Sequence, residues 1–291
     1  MPTATIARRP EQPDPATLHS MRVALGQIPI SSDPQVNLER VRAASSAAAE
    51  QGADLVIFPE GTQARFSADL RAVAESLDGE FCHGLAEAAK SAGLAVVASL
   101  FEPAPDGRVF NTTVGIEQDG SLVAAYRKLH LFDALGHRES DDVAPGDDVV
   151  IATLSGVRVG FMTCYDVRFP ELARALATRG AELLVLPAAW AAGTFKEEHW
   201  VTLVRARAIE NTIWLAAAGQ VPDPAEPSTR APTGIGRSML VDPMGVVRLD
   251  LGPSAGLGVG DVDMEQMAAV RAVLPSLANR RADVLARLAG T

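Results

Sequence analysis

The sequence predicts an α/β fold of four layers, in which two mixed β-sheets pack face to face and helices cover their outer faces. Three observations carry that expectation. Apolar, β-branched runs alternate with segments of helical period from Met21 onward. Several short runs come in pairs joined by Gly, Asp or Ser, which adds hairpins to the parallel strand–helix–strand units. No linker divides the alternation, so 21–291 reads as one domain behind a disordered tail at 1–20.

The elements follow in order. A strand is expected at 22–28, closing at Pro29. Asp33 as N-cap and Pro34 in the first helical position open a helix to Gly52. The run at 53–58 is apolar throughout, as in a strand buried on both faces, and it ends in Pro59-Glu60-Gly61. A helical region at 69–92 breaks near Gly79, and a strand follows at 94–101. Strands at 109–117 and 122–126 form a hairpin across Gln118-Asp119-Gly120-Ser121, and 133–148 is polar and irregular. A second hairpin joins 149–154 to 157–163, then a helix is expected at 170–179 and a strand at 182–186. A long helix at 197–211, a strand at 213–218 and a Pro-rich loop at 221–232 come next. Short strands at 235–241, 246–251 and 257–261 lead to a helical tail at 264–288.

Composition narrows the function. Lys+Arg of 26 against Asp+Glu of 36 leaves a net charge of −10, which argues against nucleic acid or an anionic membrane as partner. The first twenty residues hold four prolines and lack the apolar core of a signal peptide, and no stretch of about 18 apolar residues follows. Two cysteines, Cys82 and Cys164, make no disulfide framework, so a reducing cytoplasm is expected.

Three titratable residues stand just beyond the carboxyl ends of apolar strands: Glu60, Lys128 and Cys164. In open α/β sheets those ends are where ligands bind. A free thiol is only a few per cent ionised at neutral pH, so it needs a base, and Glu60 can take its proton. Lys128 can stabilise the oxyanion formed when sulfur attacks a carbonyl or nitrile carbon. The chain has 23 arginines and three lysines, Lys90, Lys128 and Lys196. Where arginine is the default cation, a lysine suggests a site that wants a compact ammonium. Each residue also has a purely structural reading. Cysteine packs well as a small buried hydrophobe, which is the reading for Cys82; Glu60 can cap the next helix, and Lys128 can be a solvated strand end.

The motifs FPE at 58–60, YRKLHLF at 126–132 and CYDVRFPE at 164–171 resemble those of the carbon–nitrogen hydrolase (nitrilase) superfamily. Further matching stretches are ESD at 139–141, LPAAW at 186–190, RARAIEN at 205–211 and GRSMLVDPMG at 236–245, so the likeness covers 21–281. The resemblance implies a four-layer α-β-β-α sandwich that assembles as a homodimer or a higher homo-oligomer. It also implies Cys164 as nucleophile, Glu60 as general base, and Lys128 together with the Tyr165 backbone N–H as oxyanion donors. Glu139 matches the family's second glutamate and would orient Lys128 and the attacking water. The implied reaction passes through a thioester, releases ammonia, and needs neither metal nor organic cofactor.

The branch is narrower. Tyr165 stands where true nitrilases carry tryptophan, and CYDVRFPEL with LPAAW and KEEHW resembles the deaminated-glutathione amidases and, next to them, the ω-amidases. Those small-molecule substrates are α-keto acid amides bearing carboxylates. Arg168 is a candidate carboxylate partner, Trp190 a pocket wall and Thr194 a hydrogen-bond donor. Arg168 has an alternative use, an ion pair with Asp166 or Glu171. The short DALGHR loop between Phe132 and Glu139 favours the deaminated-glutathione type. Other members of the superfamily (ω-amidase, N-carbamoyl amino acid hydrolase, nitrilase) and a non-catalytic binding module on the same fold stand as alternatives. A papain-like thiol hydrolase would need His130, His137 or His199 as base. His130 reads as structural, KEEHW lacks a second zinc-binding histidine, no G-x-S-x-G occurs, and the glycines of 252–260 read as turns.

Overall fold

The computed structural model describes residues 20–226 and 233–284. The expected tail lies outside them except for Ser20, as do 227–232 of the Pro-rich loop and the last residues of the helical tail. In chain order β1 (Ser20–Gln27), α1 (Pro34–Glu50) and β2 (Leu55–Ile57) come first, followed by α2 (Leu70–Val73), α3 (Glu80–Ala92) and β3 (Ala95–Pro103). β4 (Val109–Ile116) and β5 (Leu122–Arg127) form the first hairpin, and a 3-10 turn, Glu139–Asp141, precedes β6 (Val143–Ala144). The second hairpin is β7 (Ile151–Leu154) with β8 (Val157–Phe161), which runs into a 3-10 turn, Cys164–Arg168. Then come α4 (Pro170–Thr178), β9 (Leu183–Ala188), α5 (Lys196–Asn211) and β10 (Trp214–Gly219). β11 (Met239–Val241), β12 (Val247–Asp250), β13 (Gly256–Asp263) and α6 (Met264–Val273) complete the order.

Two mixed sheets result. One runs β13-β1-β2-β3-β4-β5 with β6 beside β4, and the other runs β12-β11-β10-β9-β8-β7. In each, three parallel strands are flanked by antiparallel ones. The alternation of a strand explains the layers. Leu55 and Ile57 of β2 pack with Phe161 and Val185 of the facing sheet, whereas Val56 packs outward against Leu38 and Val41 of α1 and Leu85 of α3. The sheets meet closely: a Cβ on Gly115 of β4 would lie 2.9 Å from the Phe161 ring, so only glycine admits that ring. On the far face, α4 and α5 cover the second sheet with Leu172, Leu176, Trp200 and Val204.

Local chemistry sets the boundaries. Asp33 caps α1 as expected, its side chain accepting from Gln35 N at 2.9 Å. The break expected near Gly79 is present, with Gly79 as N-cap of α3, but before it the chain is helical only over the single turn α2. The expected strand at 235–241 shortens to β11, because Gly236 and Arg237 take positive φ, which no β ladder accepts. The tail helix stops at Val273, two residues before Pro275, which lacks an N–H to continue it. No helix among the described residues is long and apolar enough to cross a membrane.

Candidate active site

One pocket collects the polar strand-end residues. Glu60 follows β2, Lys128 follows β5, Cys164 follows β8, and Ala189 and Trp190 follow β9, so both sheets contribute. Phe66, Phe132, His137, Glu139, Tyr165, Ala191 and Lys196 complete the wall, around about 370 Å³ of empty space that includes solvent at its mouth.

Lys128 is the hub. Its Nζ lies 2.9 Å from Glu60 Oε1, and 3.0 and 2.8 Å from the two oxygens of Glu139, with all three side chains buried. Burial pulls the ammonium down, but Glu139, Glu60 and Cys164 outweigh it and hold its pKa well above the usual lysine value. The lysine therefore stays charged, engaging one oxygen of Glu60 and both of Glu139. Neither glutamate is loose. Glu60 Oε2 accepts from Ala189 N at 2.9 Å, Glu139 Oε2 accepts from Phe132 N at 2.7 Å, and Asn111 Nδ2 donates to Glu60 Oε1 at 2.8 Å.

Cys164 sits on a strained turn. Its φ is +46°, a left-handed conformation that a non-glycine residue adopts at a cost of order 1–3 kcal/mol. The turn is held from both sides. Thr163 and Asp166 form a reciprocal capping box, and Asp166 also accepts the Tyr126 hydroxyl at 2.7 Å and the His130 N–H at 3.1 Å. The His130 ring nitrogen lies 2.7 Å from the same carboxylate, and that ring stacks on Phe169. A chain of hydroxyls, Thr163 to Thr113 at 2.9 Å and Thr113 to Ser99 at 3.1 Å, ties the turn to β4 and β3 across the sheets. Burial, and next the Glu60 carboxylate, push the Cys164 thiol well above its usual pKa, while Lys128 pulls it down. The resting group is thus a thiol beside a carboxylate. It becomes a nucleophile only by giving up its proton.

The structure brings together Glu60, Lys128, Glu139, Cys164, Tyr165 and Trp190. It does not bring in Arg168 or Thr194. Arg168 lies outside the lining, its guanidinium 4.9 Å from the Trp190 ring centre and its Nη2 3.4 Å from a His199 ring nitrogen. It pairs with neither Asp166, whose oxygens the capping box, Tyr126 and His130 occupy, nor any other described carboxylate. Thr194 is exposed, because the left-handed Phe195 after it turns the chain so that Lys196 enters the pocket instead. Sequence reasoning missed Asn111 and Lys196. An asparagine inside the apolar strand VFNTTV was the available signal for the first, and lysine scarcity for the second. Of the three histidines a thiol protease would need, only His137 lines the pocket. Cys82 is buried in α3, its pKa pushed up to about 11 chiefly by burial, as befits packing.

The family model described as carbon–nitrogen hydrolase matches residues 22–272. A Mycobacterium tuberculosis protein named as a hydrolase is 43% identical over 268 residues, which cover 89% of this chain and 95% of that one. The deaminated glutathione amidase of Escherichia coli O157:H7 is 40% identical over 265 residues, covering 90% and 97%. A solved amidase from Nesterenkonia sp. superposes with a TM-score of 0.78 at 30% identity, covering 92% of this chain and 96% of that one. In a variant of that amidase, the acetamide moiety of fluoroacetamide is covalently added at the active-site cysteine.

Proposed function

The chain belongs to the carbon–nitrogen hydrolase family, and on that premise we propose that it is a thiol-dependent amidase acting on a small amide that carries a carboxylate, an α-keto acid amide of the deaminated-glutathione type. The observation that carries this reading is the junction of Glu60, Lys128 and Glu139 beside Cys164, with Nζ 2.9 Å from Glu60. The E. coli relative's substrate supports the choice of amide.

In this reading the Cys164 proton passes to Glu60 as sulfur bonds to the amide carbon. The carbonyl oxygen gains a negative charge opposite Lys128 Nζ and the Tyr165 N–H. The 3-10 turn leaves that N–H free of backbone acceptors, since the first internal bond of the turn runs from Asp166 N to Thr163 O. Glu60 returns the proton to the leaving nitrogen, the C–N bond breaks, and ammonia departs from a thioester. A water then loses a proton to Glu60 and attacks the thioester carbon. The C–S bond breaks, the proton goes back to sulfur, and the acid leaves.

In this reading Glu139 acts through Lys128, which it holds at 2.8 and 3.0 Å, so it is a positioning residue. The test is ammonia release by purified protein with Cys164→Ser as blank, using deaminated glutathione, α-ketoglutaramate, an N-carbamoyl amino acid and a simple nitrile. Turnover led by deaminated glutathione supports the assignment. Turnover led by α-ketoglutaramate moves the chain to the ω-amidase type. Activity confined to the carbamoyl compound or the nitrile sinks the substrate class, and silence on all four favours an amide outside this panel or a binding module.

A further inference from the structure

Lys196 is the other ammonium of the pocket, and its surroundings are the opposite of those of Lys128. The residue is 5% exposed and lines the same cleft as Cys164, yet no described carboxylate lies within 4.0 Å of its Nζ. What it touches instead is aromatic: Nζ stands 4.2 Å from the Trp190 ring centre and 5.0 Å from that of Phe132. The position is built rather than incidental. Phe195 in left-handed backbone starts α5 and turns Lys196 inward, and the Trp190 indole N–H donates to Lys196 O at 2.7 Å. Aromatic faces attract a cation but do not neutralise it. A buried charge is ordinarily paired, and here no described residue supplies the partner. Burial accordingly draws the ammonium below its usual pKa, and Arg168 adds to this while Cys164 opposes it.

We propose that Lys196 is the carboxylate receptor of the pocket, pairing with the substrate's carboxylate and so presenting its amide carbon to Cys164. This rests on the amidase reading above and assigns its selectivity to a residue other than Arg168. Lys128 cannot serve, because both its carboxylate partners are already in the protein. An incoming carboxylate supplies the missing anion, stays against two aromatic walls, and leaves Lys128 to the oxyanion. Neutral amides of the same length gain nothing from Lys196 and leave its charge unpaired.

The experiment compares succinamate with butyramide, and measures succinate binding by calorimetry, in wild type, Lys196→Met and Lys196→Arg. In K196M the ratio of kcat/KM for succinamate over butyramide falls roughly ten- to hundredfold, the size of one charge-assisted hydrogen bond. The loss lies mainly in KM, and succinate binding weakens by a similar factor. K196R restores part of both. Equal proportional loss on the two amides, or succinate binding unchanged in K196M, overturns the assignment. If K196M does not fold, an unchanged ratio and unchanged succinate affinity in K196G or K196Q overturn it in the same way. Should wild type hydrolyse neither amide while succinate binds and K196M abolishes that binding, the receptor stands and the amidase reading fails. Normal turnover with an unaltered ratio in K196M has the reverse meaning.

Discussion

The Tyr126 hydroxyl donates to the buried Asp166 carboxylate at 2.7 Å, joining the strand end that carries Lys128 to the turn that carries Cys164. That bond helps set the separation of Lys128 and Cys164 across two sheets, beside those of His130 with Asp166 and Thr113 with Thr163. Tyr126→Phe keeps the ring and removes the donor. It should cost about 2 kcal/mol of stability, the range for a hydrogen bond to a charged group. It should also lower kcat several-fold with little change in KM. Urea unfolding and steady-state kinetics check this; a variant with wild-type kcat would mean the capping box, His130 and the Thr113–Thr163 contact hold the turn adequately without it.

Glu60→Gln separates thiolate formation from catalysis. Glutamine cannot take the proton, so kcat/KM should fall by 10²–10⁴, the range for loss of a general base. The same change removes the largest charge raising the Cys164 pKa, so the thiol should ionise at lower pH than in wild type. Thiolate absorbance near 240 nm, followed against pH, should show the inactive variant to be the more readily ionised one. A Cys164 pKa that rises or stays fixed would refute this account of the thiol.

Glu139→Gln leaves Lys128 with one carboxylate. The first of the charges raising the Lys128 pKa is then gone, so that pKa should drop toward the ordinary value. The alkaline limb of the kcat/KM profile should move to lower pH, with kcat reduced on the order of a hundredfold, as when an oxyanion donor is misplaced. Lower activity with an unmoved alkaline limb would mark Glu139 as structural only.

Stability should fall as pH rises above 9. Cys164, Tyr126 and Lys128 are all shifted upward in the folded protein, and Cys82 is raised to about 11. The folded state therefore holds protons that the unfolded chain loses first, beginning near the ordinary thiol value of 9.0. The stability from these groups is complete below that pH and is lost as pH climbs through the folded values. Urea midpoints taken from pH 8 to 10.5 should hold up to the ordinary thiol value of 9.0 and decline beyond it. A flat series would contradict the shifts.

Much of this was legible because strand ends and chemistry coincide. The apolar runs before Glu60, Lys128 and Cys164 end where the sheets open, and residue types at those points limit what they can do. Lys196 was not legible by that route, because it begins a helix rather than ending a strand. Its inward turn depends on a positive φ at Phe195, which no periodicity encodes. Arg168 could not be placed by spacing alone either: it ends the 3-10 turn after Cys164, with its guanidinium 4.9 Å from the Trp190 ring centre and 5.9 Å from that of Tyr165, outside the pocket lining. The break of the tail helix, by contrast, was written in Pro275.

Because Glu60 and Lys128 come from one sheet and Cys164 and Trp190 from the other, neither sheet can assemble the pocket alone. Catalysis is therefore a clock for the docking of the two sheets during refolding. The pocket is complete only once the sheets have met, as they do where the hydroxyls of Thr113 and Thr163 touch. Ammonia release should return only with that last encounter, which makes turnover a kinetic marker for an event that spectroscopy of the backbone passes over.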